Sequence, residues 1–588
     1  MKKILGLLLT LSLLLMLVPT ALMEALPEQT LFTPGTYTVE KQGFGGPITV
    51  TVTVSENLIE SVEITGASET PGLGAVAVDL LGQRIVDAQT PNVDSVSGAT
   101  VSSNAIIAAA TEALESAGAD IALLDEFRLD KAGDGEAERK QEEITTGIVI
   151  VGAGGAGMTA AIMAKQAGVD FVILEKMPYV GGNTTKATGG MNAAETHYQA
   201  EQNIADSVAQ FAADTMAGGH NLNNPDLVQT LAANSAEAIN WLDSIGAELP
   251  KVSFSGGATN ARIHAPADGS GVGGYLVEKF SDKMKELGIE VMLNTKATSL
   301  ILEDGRVTGV LAEGENTDYV IHAKAVILAS GGFGANEDMY TQYRPDLKGT
   351  VTTNAPGATG DGIVMALEAG AALVDIEQIQ LHPTVEQTTS MLITESVRGD
   401  GAILVNQKGE RFINEMETRD VVSAAELEQE GQYAYIIFDQ HLRDNLKATE
   451  KYVKNGLTVQ ADTIEELAEK LNIDPATLAK TLGDWNGFVE AKNDPQFGRT
   501  TGMNDALVTP PYYAIQIAPG IHHTMGGVKI DTTAHVINEA GEPIPGLFAA
   551  GEVTGGVHGG NRLGGNAVAD IVVFGRIAAQ SAIEYIGK

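Results

Sequence analysis

Gly152-Ala-Gly-Gly-Ala-Gly157 follows the apolar run Ile148–Val151 and precedes Met158–Gln166, which reads as a helix. Phe171–Leu174 is a second apolar run, and Glu175 stands 23 positions beyond Gly152. A G-x-G-x-x-G alone is a weak signal. With a strand before it, a helix after it and an acid at that distance, it becomes a dinucleotide-binding unit. Its pyrophosphate rests on the helix N-terminus beside Gly152, Gly154 and Gly157, and Glu175 takes a ribose hydroxyl. These residues do not decide between FAD and NAD. A second set consists of cations, hydrogen-bond donors and one acid: His382, Thr394, Glu395, Arg398, Arg411, Arg419, His522, His523 and Arg562. Taken singly, each has a bland reading, because an isolated histidine is more often packed or solvated and Arg398 or Arg419 reads equally well as a surface charge. A third segment is Asp94-Ser-Val-Ser-Gly-Ala-Thr100. On spacing alone it is a small-polar run capping a helix that begins near Asn104.

The elements that carry these residues fall into two textures. From about residue 30 to 54 the chain alternates, as in Ile48-Thr-Val-Thr-Val-Thr-Val, which predicts antiparallel hairpins. Ile59–Ile64 adds a strand, Glu69-Thr-Pro-Gly-Leu-Gly a loop, and Asn104–Ser116 a helix. Residues 117–144 are rich in charge and read as a linker with room for a helical part. A strand–helix texture runs from 145 to the end, with no internal repeat.

Composition narrows the chemistry. The chain has 588 residues, which at about 100–200 per domain asks for about three or four domains. Lys+Arg is 37 and Asp+Glu is 76, so the net charge is 37 − 76 = −39. Such a surface repels phosphate backbones, which argues against a nucleic-acid partner. There is no cysteine, which excludes disulfides, thiol catalysis, cysteine-ligated iron–sulfur clusters, c-type haem and a lipid-anchored cysteine. None of the three sets asks for a metal. Lys2 and Lys3 precede the apolar run Ile4–Val18, then Pro19-Thr-Ala21, so residues 1–25 are expected to be a signal peptide or N-terminal anchor, with the remainder outside the cytoplasm. That means secreted, periplasmic or held at the outer membrane face.

Two resemblances gather these sets. Residues 30–116 resemble an FMN-binding domain of flavin-based electron-transfer subunits, in which a D-x-x-[ST]-G-A-[TS] segment holds FMN as a phosphoester on its last hydroxyl. Asp94, Ser97, Gly98, Ala99 and Thr100 match it. The resemblance implies covalent FMN at Thr100, attached by a separate flavin transferase. Residues 145–588, with Gly181-Gly-Asn-Thr-Thr-Lys-Ala-Thr-Gly-Gly-Met191, Ala325–Phe333, Thr359-Gly-Asp-Gly362 and Gly546–Glu552, resemble the FAD-containing flavoprotein of the fumarate reductase and succinate dehydrogenase family. The implied fold is α/β: a Rossmann-like FAD domain (145–375 and 521–588) with an inserted α+β capping domain (376–520), preceded by the small α+β FMN domain. FAD ligands are expected at Gly152, Gly154, Gly157, Glu175, Gly182, Asn183, Thr184, Gly189, Gly190, Asp361, Gly551, Glu552 and Asn566. Some relatives hold FAD covalently through a histidine; Asn183 stands there, so non-covalent FAD is expected.

The same resemblance assigns the cationic set. His382 and Thr394 match residues that bind one substrate carboxylate, and His522 and Arg562 match those that bind the other. Arg419 matches the proton donor, resupplied through Glu395 and Arg398. The expected activity is reduction of fumarate to succinate, with electrons passing from FMN to FAD in anaerobic respiration. The expected partners are a small dicarboxylate and a membrane-associated donor, a quinol or a flavin-based subunit. Urocanate, cinnamate, itaconate or methacrylate is the alternative substrate, and a flavin electron carrier without alkene reduction is the rival from another class. Urocanate-reducing relatives tend to change the positions of His382 and Glu395, and both keep the fumarate-type identity here. Lys251–Gly257 is expected to approach the substrate.

Overall fold

The computed structural model describes residues 30–69, 74–96, 99–126, 139–254 and 256–588. The expected export segment, Ser97, Gly98, residues 127–138 of the expected linker and the side chain of Thr100 lie outside that description. The chain divides into two units, Met1–Glu136 and Ala137–Lys588.

In the first unit, β1 (Gly35–Gln42), β2 (Pro47–Val54) and β3 (Ile59–Thr65) form an antiparallel sheet in sequence order. The alternation in β2 buries Ile48, Val50, Val52 and Val54 on one face, the signature of a half-covered sheet. That face is covered by α1 (Gly74–Ala88), which buries Ala77, Leu81 and Ile85, and by α2 (Thr100–Ser116), which buries Ile106, Ala109, Ala113 and Leu114. Two expectations change. Helix α1 follows the loop read at Glu69–Gly74, in a stretch to which the sequence assigned no element. Helix α2 starts at Thr100, one turn before Asn104, and its N-cap Ala99 makes no side-chain cap.

The second unit opens with β4 (Lys140–Val151), α3 (Gly155–Gln166) and β5 (Phe171–Leu174), followed by β6 (Lys296–Glu303), β7 (Arg306–Glu313) and β8 (Thr317–Leu328). Strand β8 pairs in parallel with β4 from Thr317↔Lys140 to Leu328↔Val151, and β4 pairs in parallel with β5. Residues 140–144 therefore belong to a strand rather than to the linker. Ile121–Glu126 is the helical part of that linker, its Asp125 accepting from Thr90 Oγ1 (2.5 Å).

The chain then leaves this sheet. It forms β9 (Ile379–Val385), α4 (Glu395–Gly399), β10 (Ile403–Val405), α5 (Arg419–Leu427), β11 (Ala434–Asp439), β12 (Val459–Ala461), α6 (Pro475–Ala491) and β13 (Tyr512–Thr524). The order β9–β13–β11–β10 makes a second, antiparallel sheet, with β12 also paired to β13. The 13-residue β13 joins β11 through Tyr512–Ile517 and β9 through Ala518–Thr524. The first sheet is completed by β14 (His535–Ile537) and β15 (Pro543–Ala549), which pairs with β8. Helix α7 (Asn566–Tyr585) closes the chain against α3. It is long and apolar enough to cross a bilayer, but most of its apolar stretch is buried here, which makes it a core helix.

A buried ionic cluster fixes the loop leading into α5. Glu415 is fully buried and accepts two hydrogen bonds from Arg411 (2.8 and 2.8 Å) and one from Arg499 (3.0 Å). Both guanidiniums lie over the Trp485 ring, 4.7 and 4.6 Å from its centroid. Arg411 is thus a brace that sets where Arg419 begins its helix. Breaking such a cluster by removing one partner typically costs about 3–5 kcal/mol.

Candidate active site

The dinucleotide unit forms as its spacing demands. Gly152 turns at φ +102, and a Cβ there would lie 2.5 Å from Ala329 O. Gly154 has only Gly181 O at 3.8 Å, so the start of α3 stays open to a ligand. Glu175 lies at the end of β5, its carboxylate accepting from Ala153 N and Met177 N (both 2.9 Å). A cavity of about 890 Å³, including its mouth, is lined by Gly152, Gly154, Glu175, Gly182, Asn183, Thr184, Asp361, Gly551 and Glu552. These are nine of the expected cofactor residues, and a glycine-floored cleft with a half-buried acid at the strand end fits an adenine dinucleotide.

Four expected ligands have other duties. Gly157 and Gly190 admit close backbone packing, since a Cβ would meet Gly152 O at 1.9 Å or His264 O at 2.3 Å. Gly189 is absent from the cavity wall and abuts Ile263. Asn566 is fully buried, accepting from Asn192 Nδ2 (2.7 Å) and donating to Thr215 Oγ1 (3.1 Å). Asn183, at the position expected to decide covalency, donates to Asn354 Oδ1 (2.6 Å) and Glu552 Oε2 (2.9 Å). A carboxamide so held has no nucleophilic nitrogen to offer a flavin. Burial pushes the Glu552 carboxyl up, against the bonds from Asn183 and Thr524.

The cationic set converges where the second sheet meets the FAD side. Gln380 and His382 project from one face of β9 by strand alternation. In β13, Gln380 pairs with His523 and Leu381 with Ile521, so His522 is the extra residue of a β-bulge. The bulge brings the His522 ring to 5.2 Å from that of His382, while His523 Nδ1 lies 3.5 Å from Glu552. Helix α4 presents Glu395 and Arg398 one turn apart, with Thr394 as its buried N-cap. Arg419 opens α5 and donates to Glu395 from Nε (2.7 Å) and Nη2 (3.2 Å). Arg398 Nη2 is 3.7 Å from the same carboxylate. Arg562 lies in the loop before α7. The Lys251–Gly257 segment abuts its neighbour, since a Cβ on Gly257 would meet Leu563 Cδ2 at 2.7 Å.

Gln380 was not singled out from the sequence, yet it joins the set. Its Oε1 accepts from Arg419 Nη1 and from Arg562 Nη2, each at 2.9 Å. Its amide donates to Asn561 Oδ1 (2.6 Å) and Arg562 O (2.8 Å). The one signal for it is its place two residues before His382 on an alternating strand.

The electrostatics follow from crowding cations out of water. Burial, together with Arg419, pushes the Arg562 guanidinium down to about 9, so it stays charged at neutral pH but strained for want of an anion. Burial alone would raise Glu395; the guanidiniums of Arg419, Arg398 and Arg562 outweigh it and hold the carboxyl at about 2. Burial and then the neighbouring arginines push His382 and His522 well below the ordinary value, so both rings are neutral. The His382 Nδ1 accepts from Thr384 N (3.3 Å), which assigns the ring proton to Nε2, and that atom has no partner among the described residues. Arg562 Nε and Arg398 Nε are likewise buried and unpartnered. Each orphaned donor costs about 1–3 kcal/mol. The pocket is therefore a cluster of unmet donors and positive charge in an acidic chain.

Residues 147–568 match the FAD binding domain family, and residues 43–115 match the FMN-binding domain family. The chain is 44% identical over 552 residues to the NADH:fumarate oxidoreductase of Klebsiella pneumoniae, covering 94% of this chain and 58% of that protein. It thus spans under two thirds of that relative's length. It is 38% identical over 564 residues to the urocanate reductase of Eggerthella lenta, covering 93% and 92% of the two chains. The solved open conformation of a flavocytochrome c3 fumarate reductase superposes with a TM-score of 0.67 at 44% identity, over 78% of this chain and 80% of that one.

Proposed function

The chain belongs to the fumarate reductase family of FAD-binding flavoproteins, and from that premise we propose that it reduces the double bond of fumarate to give succinate. It is an oxidoreductase of carbon–carbon double bonds with an FAD-binding and an FMN-binding domain. One observation carries the choice of a dianion: two guanidiniums, Arg419 and Arg562, share a single neutral oxygen, Gln380 Oε1, at 2.9 Å each. Like charges crowded onto one oxygen are relieved by an anionic substrate, and the His382–Thr394 pair offers separate donors for its second carboxylate.

His382, through Nε2–H, and Thr394 take one carboxylate; His522 and Arg562 take the other. Holding the two ends by separate groups twists one carboxylate out of conjugation and leaves the adjacent alkene carbon electrophilic. FAD, when bound, supplies the hydride. Arg419 supplies the proton to the other alkene carbon from a guanidinium nitrogen. A free guanidinium is a poor acid, with a pKa above about 12. It can serve here because Glu395 grips it at 2.7 Å and returns the proton from Arg398. The segment 376–520 acts as a cap whose closure excludes water. FMN is carried on Thr100 by a flavin transferase and receives electrons from a membrane-associated donor. Export is proposed from Lys2, Lys3 and the run Ile4–Val18.

Turnover of fumarate by viologen-reduced holoprotein tests the proposal; its absence would leave only an electron carrier. The histidine shifts give a second test. Both rings stay neutral as pH falls to the ordinary imidazole value, so kcat/KM for fumarate, which reports the free enzyme, shows no inflection near pH 6.5. A clear histidine limb between pH 6 and 7 would contradict neutral rings.

A further inference from the structure

We propose that Glu426 is the proton store for the arm Arg398–Glu395–Arg419, acting through Arg398 and not on the substrate. This rests on the reading of Arg419 as the proton donor. Glu426 is fully buried, and neither carboxylate oxygen has a hydrogen-bond partner among the described residues. A buried carboxylate in that state is expensive to maintain. It lies in the last turn of α5, where the exposed carbonyl end of the helix also disfavours an anion. Among the described residues, Arg398 is the one charged group that acts on it; no titratable group of β9, of β13 or of the turn Glu430–Gln432, which pack on α5, does so. Burial accordingly pushes the carboxyl well above the ordinary carboxylate range.

The position fits delivery. Glu426 is seven residues after Arg419, so both lie on one face of α5, with Ser423 between them at the helical spacing. Ser423 Oγ is buried and unpartnered, as is Arg398 Nε. Three orphaned polar groups thus belong to the arm and to the helix that carries Arg419. After Arg419 protonates the substrate carbon, an N–H bond breaks there and a C–H bond forms. Glu395 takes a proton from Arg398 and hands it to Arg419. Arg398, now neutral, takes the Glu426 proton over one bridging water, since no hydrogen bond joins the two directly: O–H breaks on Glu426, N–H forms on Arg398, and the water passes on one proton as it accepts another, leaving a carboxylate near a restored guanidinium. That carboxylate regains a proton from solvent at the end of α5, where Leu427 and Glu428 are exposed.

The test uses the full flavinated protein with reduced viologen and fumarate, in wild type, Glu426→Gln and Glu426→Asp. Glutamine copies the neutral carboxyl in shape and cannot donate this proton. We expect kcat of the Gln variant to fall roughly tenfold or more, with a larger solvent deuterium effect. KM is expected to stay within about twofold, because substrate contacts are intact. The wild-type decline of kcat at alkaline pH, where the store empties, flattens in the Gln variant. The Asp variant, which still titrates, recovers part of kcat and keeps the alkaline decline. A Gln variant with wild-type kcat, pH profile and isotope effect overturns the inference. So does a loss uniform in pH and shared by Asp, which would mark a packing role. Failure of the underlying reading looks different: Arg419→Ala itself would keep near-normal fumarate turnover, whatever the Glu426 variants do.

Discussion

Arg419→Ala lowers fumarate turnover by roughly 10²–10⁴-fold, the usual range for a positioned acid. The midpoint, about 10³, corresponds to about 4 kcal/mol of transition-state stabilisation. FAD content is unchanged, because Arg419 does not line the FAD cavity. The change in KM is smaller than that in kcat, because His382, Thr394, His522 and Arg562 still hold the substrate. The variant also leaves Glu395 without its two short bonds and removes one of the two cations on Gln380. Arg419→Lys keeps the charge but not the fork that engages Glu395 and Gln380 together, so it recovers only a small part of the rate. Near-normal steady-state turnover by the alanine variant would remove Arg419 as the donor.

Thr100→Val abolishes the protein-bound fluorescent flavin band on a denaturing gel, while FAD released by denaturation remains. Valine preserves the shape and removes the hydroxyl that a phosphoester needs. The two neighbouring hydroxyls cannot substitute. Ser102 Oγ is buried and donates to Glu69 Oε2 (2.8 Å), and Ser103 Oγ is buried and accepts from Val96 N (3.0 Å). Thr100 is the first residue of α2, a 17-residue helix with no other side-chain cap, so a phosphate there meets the positive end of the helix dipole. Thr100→Ser keeps the band. A fluorescent band persisting in the valine variant would place the flavin elsewhere.

The legible parts of this protein were those where chemistry restricts residue type. The turn at Gly152–Gly157 needs glycine, the end of β5 needs an acid, and a dianion needs arginine and histidine, so each could be marked from its letters. What stayed hidden depends on register and packing. Gln380 is an unremarkable amide until β9 places it opposite two arginines. Which of His522 and His523 faces the substrate is decided by one extra residue in β13. Arg411 and Arg419 read alike in sequence; only the fold sends the first to Glu415 and the second to Glu395. Gly157, Gly190 and Asn566 sit in cofactor motifs yet serve packing, because a close-packed α3 and α7 are what hold the cavity open. The polar start of β4, Lys140–Glu143, reads as linker because its side chains are exposed and its partner, β8, lies more than 170 positions away.

The central claim is that two separate donor sets, His382 with Thr394 and His522 with Arg562, select a short dicarboxylate. The most direct measurement is kcat/KM of viologen-reduced holoprotein for fumarate, urocanate, cinnamate, itaconate and methacrylate under one set of conditions. The account predicts that fumarate leads every monocarboxylate by about 10²-fold or more, because a missing carboxylate leaves buried donors unpaired. A fumarate rate no better than that for urocanate or cinnamate would contradict it.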